Sequence, residues 1–311
     1  MTVELSKQFH VQIPMGGGTY TALIVVLEAD GLTGVGEAPL LHGRPPEAAL
    51  RAARETAELD LAARAAGMRV ADLLGGARRD GVRCSALVGA VKPSEVAIQV
   101  ERLVADGFSA VKLKAANGGG PIDQERLGAA RWAAGHEVEL RLDFNGRLSP
   151  AEALAVLPGL YAFAPVTFEQ PLPAEAPARD WARLGDPGTL AADESLADNR
   201  LATELAGLGV GLAIKLATVG GPRAAATLAA IAGRAWTGSS YETSIGLAAA
   251  LHAACAFERE PPACGLATMG LLGADLASGL VIDCGYMRLP AGPGLGVELD
   301  REALRRYAAD T

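Results

Sequence analysis

Five lysines stand among the chain's 28 basic residues, and three of them lie in strand-like apolar segments. Lys112 and Lys114 occur in "AVKLK", and Lys215 occurs in "LAIKL". Arginine stays protonated in proteins, whereas burial can lower the pKa of a lysine until its amine acts as a base. A coding bias toward arginine would explain the shortage of lysine but not these three positions, which indicate chemistry that needs an amine.

Carboxylates end the apolar segments that follow the lysine pair. Side chains alternate across a strand, so Arg141, Asp143 and Asn145 of "LRLDFN" share one face, as Lys112 and Lys114 do. Burying such groups costs several kcal/mol unless they are paired or bound to metal. These side chains are therefore predicted to meet partners from neighbouring strands.

The next segments continue the series. Glu169 ends "VTFE", Asp193 and Glu194 belong to "ADES", and the following segment carries Lys215. Three carboxylates on successive strands, Asp143, Glu169 and Asp193, form an all-oxygen site suited to Mg²⁺, which keeps open positions for substrate oxygens. Lysines on opposite sides of that metal would face the two sides of a bound carboxylate ligand.

Each element has a simpler explanation when it is taken alone. Asp-x-Asn is typical of turns, Glu169 fits a strand-end salt bridge, and the hydroxyl of Ser195 fits a helix cap. A lysine at a strand end often reaches the surface. The order of these residues on consecutive strands favours one joint site.

The helices and strands that must position this site follow one pattern up to about residue 80 and a different pattern after it. Up to about residue 80, "TYTALIVVLEADG" and "LTGVGEAPL" predict a hairpin turning at Asp30 and Gly31, and residues 45–67 have helical periodicity. From "GVRCSALVGA" to "ACGLATM", eight short apolar runs alternate with helical stretches, as in a parallel barrel, where chemistry collects at the carboxyl ends of the strands. A doubly wound sheet is disfavoured because "SALVGAVKPSE" has no G-x-G-x-x-G turn.

Composition limits the partners. The formal charge of −8 and the lack of a basic block argue against nucleic acid or an anionic membrane and favour a small-molecule ligand. Four cysteines without a C-x-x-C pair argue against structural zinc or disulfides and suggest a reducing cytoplasm. A strand-like start and the lack of an apolar run near 20 residues predict a soluble, cytoplasmic protein without a signal peptide or membrane helix.

The ordered motifs resemble those of one known family. K-x-K, D-x-N, E-Q-P, D-E-S and I-K-L on barrel strands two to six resemble the enolase superfamily, specifically its muconate-lactonising subgroup. "GVGEAP" and "LAARAAGMRVADLLGG" resemble its capping domain, and "GPGLGVELD" resembles its closing segment. The resemblance implies an α/β fold: a (β/α)7β modified TIM barrel over residues 81–284 with an α+β N-terminal capping domain over 1–80. The tail from about 285 to 311 would join the capping domain.

The resemblance also implies roles for the site residues. A carboxylate substrate would lose the proton next to its carboxylate, and the resulting anion would be stabilised by Mg²⁺, or alternatively Mn²⁺, and by ammonium groups. The implied catalytic residues are Lys114 and Lys215, with Lys112 assisting Lys114. The implied metal ligands are Asp143, Glu169 and Asp193, with Asn145 and Glu194 lying behind them. The histidines fall on no barrel strand end and are predicted to be structural or on the surface.

Substrate choice rests on the later strands. "TGSSYETSIG" resembles strand seven of o-succinylbenzoate synthases, so Ser239 and Ser240 are predicted either to contact a succinyl arm or to cap the next helix. Arg141 would orient an anionic substrate or neutralise the carboxylates. "ATMGLLGAD" lacks the Asp-x-Asp pair that holds an ammonium group in dipeptide epimerases. "MGGGTY" is either a hairpin tip or a loop that closes over the site, and "LLHGRPPE" resembles a shortened specificity loop.

The function this implies is Mg-dependent syn dehydration of 2-succinyl-6-hydroxy-2,4-cyclohexadiene-1-carboxylate to o-succinylbenzoate, a step of menaquinone biosynthesis. The alternatives are an N-acylamino acid racemase or dipeptide epimerase of the same subgroup, and a carboxylate-binding protein without turnover. Oligomeric state stays open.

Overall fold

The computed structural model describes residues 3, 5–41, 46–89, 91–115, 120–164 and 166–309. The first unit contains β1 (Leu5–Met15), β2 (Gly18–Ala29), β3 (Leu32–Pro39), α1 (Pro46–Ala65) and α2 (Val70–Leu73). The three strands form an antiparallel sheet in chain order, and α1 packs on β3.

The predicted hairpin between β2 and β3 is confirmed. Asp30 and Gly31 have φ angles of 50° and 74°, the left-handed pair that suits a two-residue turn between antiparallel strands. Gly36 explains how closely α1 approaches β3, because a Cβ atom there would lie 1.9 Å from the carbonyl oxygen of Ala53. The first unit is thus an antiparallel sheet with a tightly seated helix.

The second unit alternates strands with helices. Its strands are β4 (Gly81–Arg83), β5 (Ala86–Val88), β6 (Ala110–Lys114), β7 (Glu139–Asp143), β8 (Val166–Glu169), β9 (Leu190–Ala192), β10 (Gly211–Ile214) and β11 (Ala235–Thr237). Its helices are α3 (Pro93–Ala105), α4 (Pro121–Ala134), α5 (Pro150–Leu160), α6 (Ala178–Trp181), α7 (Asn199–Gly207), α8 (Leu216–Val219), α9 (Pro222–Ile231) and α10 (Ser244–Ala256). Short 3-10 helices cover Tyr161–Phe163, Pro187–Thr189 and Glu194–Ala197.

The strands β5 to β11 lie side by side in chain order, and each ladder is parallel. Cys264 and Gly265 close the sheet between its two edges. The Ser85 amide donates to the carbonyl of Cys264 at 2.8 Å, and the Gly265 amide donates to the carbonyl of Thr237 at 2.8 Å. The predicted barrel with a capping unit is therefore confirmed.

Two barrel strands are shorter than predicted. The run "GVRCSALVGA" divides at Cys84: β4 pairs with the chain's tail, and only β5 enters the barrel. The predicted eighth strand "ACGLATM" contributes isolated bridges at Cys264 and Gly265. Both differences arise because these segments exchange hydrogen bonds with non-barrel neighbours at one end.

The tail contains β12 (Ala277–Ser278), β13 (Ile282–Asp283), β14 (Tyr286–Arg288), β15 (Glu298–Leu299) and α11 (Arg301–Tyr307). It lies against the first unit. Leu295 donates its amide to Asp60 Oδ1 of α1 at 2.7 Å, and Ala309 donates its amide to the carbonyl of His10 on β1 at 2.7 Å.

His252 joins three parts of the molecule. The Ala71 amide of α2 donates to its Nδ1 at 3.1 Å, so Nε2 carries the proton and donates to the carbonyl of Leu295 at 3.1 Å. Burial lowers the pKa of His252 to about 4. This histidine is structural, as predicted.

Two segments, "MGGGTY" and "LLHGRPPE", are interpreted from the sequence as loops that could lie over the site, and the structure describes only the first of them completely. The tip of the β1–β2 hairpin rests on the segment after the barrel, since Gly273 donates its amide to the carbonyl of Pro14 at 2.6 Å. That contact supports the interpretation as a hairpin tip. In the loop over 40–46, residues 42–45 lie outside the described residues. Within the described part of the chain, no helix combines the length and apolar character needed to cross a bilayer.

Candidate active site

The register of the barrel brings the charged strand ends together. Lys114 of β6 lies opposite Asp143 of β7, which lies opposite Glu169 of β8. Asp193 directly follows β9, and Lys215 directly follows β10. All five residues therefore reach the carboxyl end of the barrel, where parallel strands converge on one edge.

Two lysines hold the first two carboxylates. Lys112 Nζ donates to Asp143 Oδ2 at 3.1 Å and to Glu169 Oε1 at 2.9 Å. Lys114 Nζ donates to the same Asp143 oxygen at 2.6 Å and to Asn145 Oδ1 at 2.9 Å. The paired lysines thus share one carboxylate, as their common face on β6 predicted.

The third carboxylate has its own lysine. Lys215 Nζ donates to Asp193 Oδ2 at 2.5 Å. Asn145 Nδ2 donates to Glu194 Oε1 at 3.0 Å, which connects the lysine pair's side of the site to the segment after β9. The predicted lysines, carboxylates and supporting residues form one connected network.

Buried charge sets the protonation states of this network. Burial by itself lowers the pKa of a lysine, but the carboxylates of Glu169 and Asp143 outweigh it and raise the pKa of Lys112 above its usual range. Burial likewise opposes the charge of Lys215, and Asp193 outweighs it, so the pKa of Lys215 is also raised. Burial alone predicts that the pKa of a lysine falls toward neutrality; in this arrangement the carboxylates reverse that direction for these two lysines.

A cavity of about 250 Å³ opens above the network. Lys112, Lys114 and Lys215 form its charged floor. The remaining lining is a mixture of small polar and apolar groups: Leu41, Ser85, Ala86, Leu87, Asn145, Ser239, Ser240, Tyr241, Gly265 and Thr268. A small organic anion would meet ammonium groups below and a mainly apolar wall around it.

Both predicted serines line this cavity. Ser239 Oγ shares a hydrogen bond with Thr268 Oγ1 at 2.8 Å, and the buried Ser240 Oγ has no hydrogen-bond partner among the described residues. The alternative that they cap the next helix is wrong, because Thr243 is the N-cap of α10 and its hydroxyl accepts from the Ile245 amide. The Ser240 hydroxyl is therefore available to a ligand or a water molecule in the cavity.

Arg141 does not line the cavity, so the structure does not support the predicted substrate contact. Its side chain lies one layer deeper in the barrel and pairs with both oxygens of Glu139, at 2.9 and 3.0 Å. Its guanidinium also stacks on Trp236 of β11 at 4.4 Å from the ring centre. Arg141 is only 1% exposed and is held below the site by these contacts.

Gln170 was not singled out from the sequence. Its Oε1 accepts the amides of Asp193 at 2.8 Å and Ser195 at 3.2 Å, and its Nε2 donates to Ser195 Oγ at 2.8 Å. Gln170 has a φ angle of 40°, and the cavity-lining residues Asn145 and Tyr241 have φ angles of 47° and 72°, all in the left-handed region. The signal available in the sequence was an amide side chain between a strand-end glutamate and a proline.

The three carboxylates suit a hard divalent cation by their chemistry. Asp143, Glu169 and Asp193 are each 1% exposed and present only oxygen donors. Within the described ranges, no group of three or more His, Cys, Asp and Glu side chains is arranged around one metal position. Lysine ammonium groups hold the carboxylates in this arrangement, and they can swing aside because lysine side chains are long and flexible.

Comparison with known proteins gives one family match. The model of the Enolase C-terminal domain-like family matches residues 95–303. The o-succinylbenzoate synthase of Thermobifida fusca (strain YX) is 36% identical over 199 residues, which cover 62% of this chain and 61% of that protein. A chloromuconate cycloisomerase of Delftia acidovorans is 30% identical over 267 residues, covering 83% and 72%. A D-galactonate dehydratase of Ralstonia pickettii (strain 12J) is 31% identical over 276 residues, covering 79% and 69%.

Solved structures resemble the whole chain. A muconate lactonizing enzyme from Klebsiella pneumoniae has a TM-score of 0.86 at 27% identity and covers 100% of both chains. A dipeptide epimerase from Methylococcus capsulatus, complexed with a Mg ion, has a TM-score of 0.85 at 26% identity and covers 96% of this chain and 100% of that chain.

Proposed function

Because the chain belongs to the Enolase C-terminal domain-like family, we propose that it is an o-succinylbenzoate synthase. The family confirms the resemblance to the enolase superfamily, whose matched members are enzymes. Relatives of several activities match, so the particular reaction is our proposal. It would dehydrate 2-succinyl-6-hydroxy-2,4-cyclohexadiene-1-carboxylate to o-succinylbenzoate and water.

One observation carries the reaction type: Lys114 and Lys215 reach the floor of one cavity from opposite sides of three buried carboxylates. Asp143, Glu169 and Asp193 would hold Mg²⁺, or alternatively Mn²⁺. When bound, this ion supplies positive charge beside a substrate carboxylate, as is general for sites of this superfamily.

In this proposal Lys114 removes the proton next to the substrate carboxylate. Its side chain is 28% exposed, the most of the three lysines, and ends at the cavity floor beside Asp143 and Asn145. Lys215 faces the anion from the other side as a fixed cation. Lys112, which contacts Asp143 and Glu169 in this structure, assists Lys114 as a second cation beside it.

The second step completes a balanced elimination. Lys114, now carrying the abstracted proton, returns it to the hydroxyl group that leaves the neighbouring ring carbon on the same face. The leaving group departs as water, and the ring becomes aromatic. One lysine therefore suffices for both proton transfers, whereas racemisation needs Lys114 and Lys215 to alternate as base and acid on opposite faces.

Two features fit this substrate, and the second of them disfavours a dipeptide, which carries a free ammonium group. Ser240 offers a buried hydroxyl at the cavity wall, which suits a carbonyl or carboxylate oxygen of a succinyl arm. After the barrel, the carboxylate of Asp275 accepts from the amide and hydroxyl of Ser244 at 2.9 and 2.6 Å instead of facing the cavity. We therefore expect no site for a substrate ammonium group there.

The runner-up is an N-acylamino acid racemase or dipeptide epimerase, because the same two lysines would serve it. The test compares kcat/KM for dehydration with kcat/KM for racemisation of N-succinylamino acids, on one preparation with Mg²⁺. We expect dehydration to be favoured by about a hundredfold, or about 2.7 kcal/mol. A preference for N-succinylamino acids would replace the proposal with the runner-up. Loss of both activities, with no deuterium exchange next to the carboxylate, would favour a binding protein.

A further inference from the structure

Glu37 of β3 is a buried carboxylate that joins the capping unit to the barrel. It is 5% exposed, and its oxygens accept four hydrogen bonds. Tyr20 Oη donates at 2.7 Å from β2. The start of α10 supplies the other three: Thr243 Oγ1 at 2.7 Å, the Thr243 amide at 3.1 Å and the Gly246 amide at 2.8 Å. One side chain thus satisfies the Thr243 and Gly246 amides at the start of a fully buried barrel helix that belongs to another unit.

Two walls of the substrate cavity lie next to the hydrogen bonds of Glu37: Leu41 of the capping unit forms one, and Ser240 and Tyr241 of the barrel form the other. Leu41 lines the cavity and lies four residues after Glu37, and the Leu40 amide fixes this segment to the carbonyl of Thr21 at 2.9 Å. On the barrel side, Ser240 and Tyr241 line the cavity just before Thr243. The hydrogen bonds of Glu37 therefore connect the two segments that supply these walls.

The residues at the start of α10 allow Glu37 to approach the helix closely. Gly246 sits where a Cβ atom would lie 2.6 Å from the Glu242 Cβ and 3.0 Å from Glu37 Oε2. Glu242 in turn accepts the Ser240 amide at 2.6 Å, which ties the wall segment to the same helix start. Burial raises the pKa of Glu37 to about 7, although the hydrogen bonds from Thr243 and Tyr20 oppose this rise. Its carboxylate is held by neutral donors at the positive end of a long helix.

We infer that Glu37 is a positioning residue that fixes the two walls of the substrate cavity relative to each other. Its kinetic consequence rests on the proposed function. Lys114, which would move the proton, lies on β6, and Lys215 follows β10; Glu37 contacts neither strand through its hydrogen bonds. Its removal should therefore act on the fit of the substrate and leave proton transfer largely intact.

The kinetic test uses Glu37→Gln, which keeps the shape but turns one acceptor oxygen into a donor facing Thr243 or Gly246. We expect KM to rise about tenfold and kcat to change less than about threefold, since ground-state fit is lost. Tyr20→Phe, which removes one donor, should raise KM in the same direction by about threefold. A role in folding alone would lower the active fraction, and so the apparent kcat, without changing KM; that result in both variants would overturn the inference.

Asp275→Asn is the matched control. Asp275 also accepts hydrogen bonds at the start of α10, but its partners are Ser244 and the backbone of Leu276 and Ala277. This variant should destabilise the protein while leaving KM within about twofold. A rise of KM equal to that of Glu37→Gln would show that any damage to this helix start has the same effect, and would overturn the inference.

Amide hydrogen exchange tests the inference without a substrate. In Glu37→Gln, exchange should accelerate both at residues 40–41 and at 239–243, whereas Asp275→Asn should leave 40–41 unchanged. Unchanged exchange at either wall in Glu37→Gln would contradict the coupling, even if the enzyme turned over the proposed substrate. Conversely, if the protein did not dehydrate that substrate but both walls loosened together, the proposed reaction would fail and the inference would stand.

Discussion

Two buried charge clusters lie one above the other in the same barrel. In the lower cluster, Arg141 pairs with both oxygens of Glu139 and stacks on Trp236. In the upper cluster, Lys112 and Lys114 share one oxygen of Asp143 under an open cavity. A single strand, β7, supplies Glu139, Arg141 and Asp143 on one face, so strand alternation alone does not distinguish the two.

The difference lies in how completely each charge is satisfied. A guanidinium that binds a carboxylate with two parallel hydrogen bonds and covers an aromatic ring has little left to offer a ligand. An ammonium group on a flexible stem can change partners when a ligand or a metal arrives. The contacts of the lower cluster therefore indicate a structural role in the barrel interior. The upper cluster has the properties of a reactive site.

The largest expected effect is a loss of activity when the upper cluster, but not the lower one, is altered. Replacing Lys114 with Arg keeps the charge but removes the titratable amine, so kcat should fall about 10³-fold. Steady-state dehydration kinetics measure this loss. Lys92→Arg, at an exposed lysine before α3, is the control and should keep full activity. Activity above a tenth of wild type in Lys114→Arg would remove Lys114 from the role of base.

The second prediction concerns the metal. Asp143→Asn should lower Mg²⁺ affinity by about a hundredfold or more, because it removes a charged ligand from the centre of the network. Isothermal titration calorimetry measures this change, and circular dichroism should show an intact fold. Asp300→Asn, at the exposed N-cap of α11, is a control far from the cavity. Equal Mg²⁺ affinity in wild type and Asp143→Asn would contradict the assignment of ligands.

Substitutions in the lower cluster should instead lower the stability of the protein. Arg141→Met leaves the carboxylate of Glu139 without its bidentate partner, so the free energy of unfolding should fall by about 2 kcal/mol, a value reduced because Glu139 is partly exposed. Urea denaturation measures this loss, and kcat/KM of the folded enzyme should change less than about tenfold. Adding Glu139→Gln should recover part of the stability. A hundredfold loss of kcat/KM without loss of stability would instead make the lower cluster part of the reaction.

The smallest predicted effect depends on pH. Burial lowers the pKa of His252 to about 4, below its value in an unfolded chain, so the unfolded state binds the proton more tightly. The stability contributed by neutral His252 is thus present above pH ~6.5 and is lost as pH falls toward ~4. Between pH ~7 and ~5.5 the loss should be about 1 kcal/mol. Urea midpoints of wild type and His252→Asn should converge as the pH is lowered; parallel curves would contradict this account.

The charged residues of the upper cluster were predictable because their order follows from alternation and from strands that end at one edge. The position of Arg141 was not, because its aromatic partner, Trp236, lies on a strand almost 100 residues later. Leu41 carries no chemical signature, and only the packing of the capping unit brings it to the cavity. The reduced eighth strand was also not predictable, since Cys264 and Gly265 obtain their backbone hydrogen bonds from two separate segments, residues 83–85 and Thr237.

The most direct test quantifies o-succinylbenzoate formed from the cyclohexadiene carboxylate by wild type, Lys114→Arg and Arg141→Met, at equal concentrations of folded protein with Mg²⁺. We predict rapid conversion by wild type, conversion within about tenfold of it by Arg141→Met, and conversion about 10³-fold slower by Lys114→Arg. Absence of product with wild type, or equal rates for wild type and Lys114→Arg, would contradict the claim that the upper cluster performs this reaction.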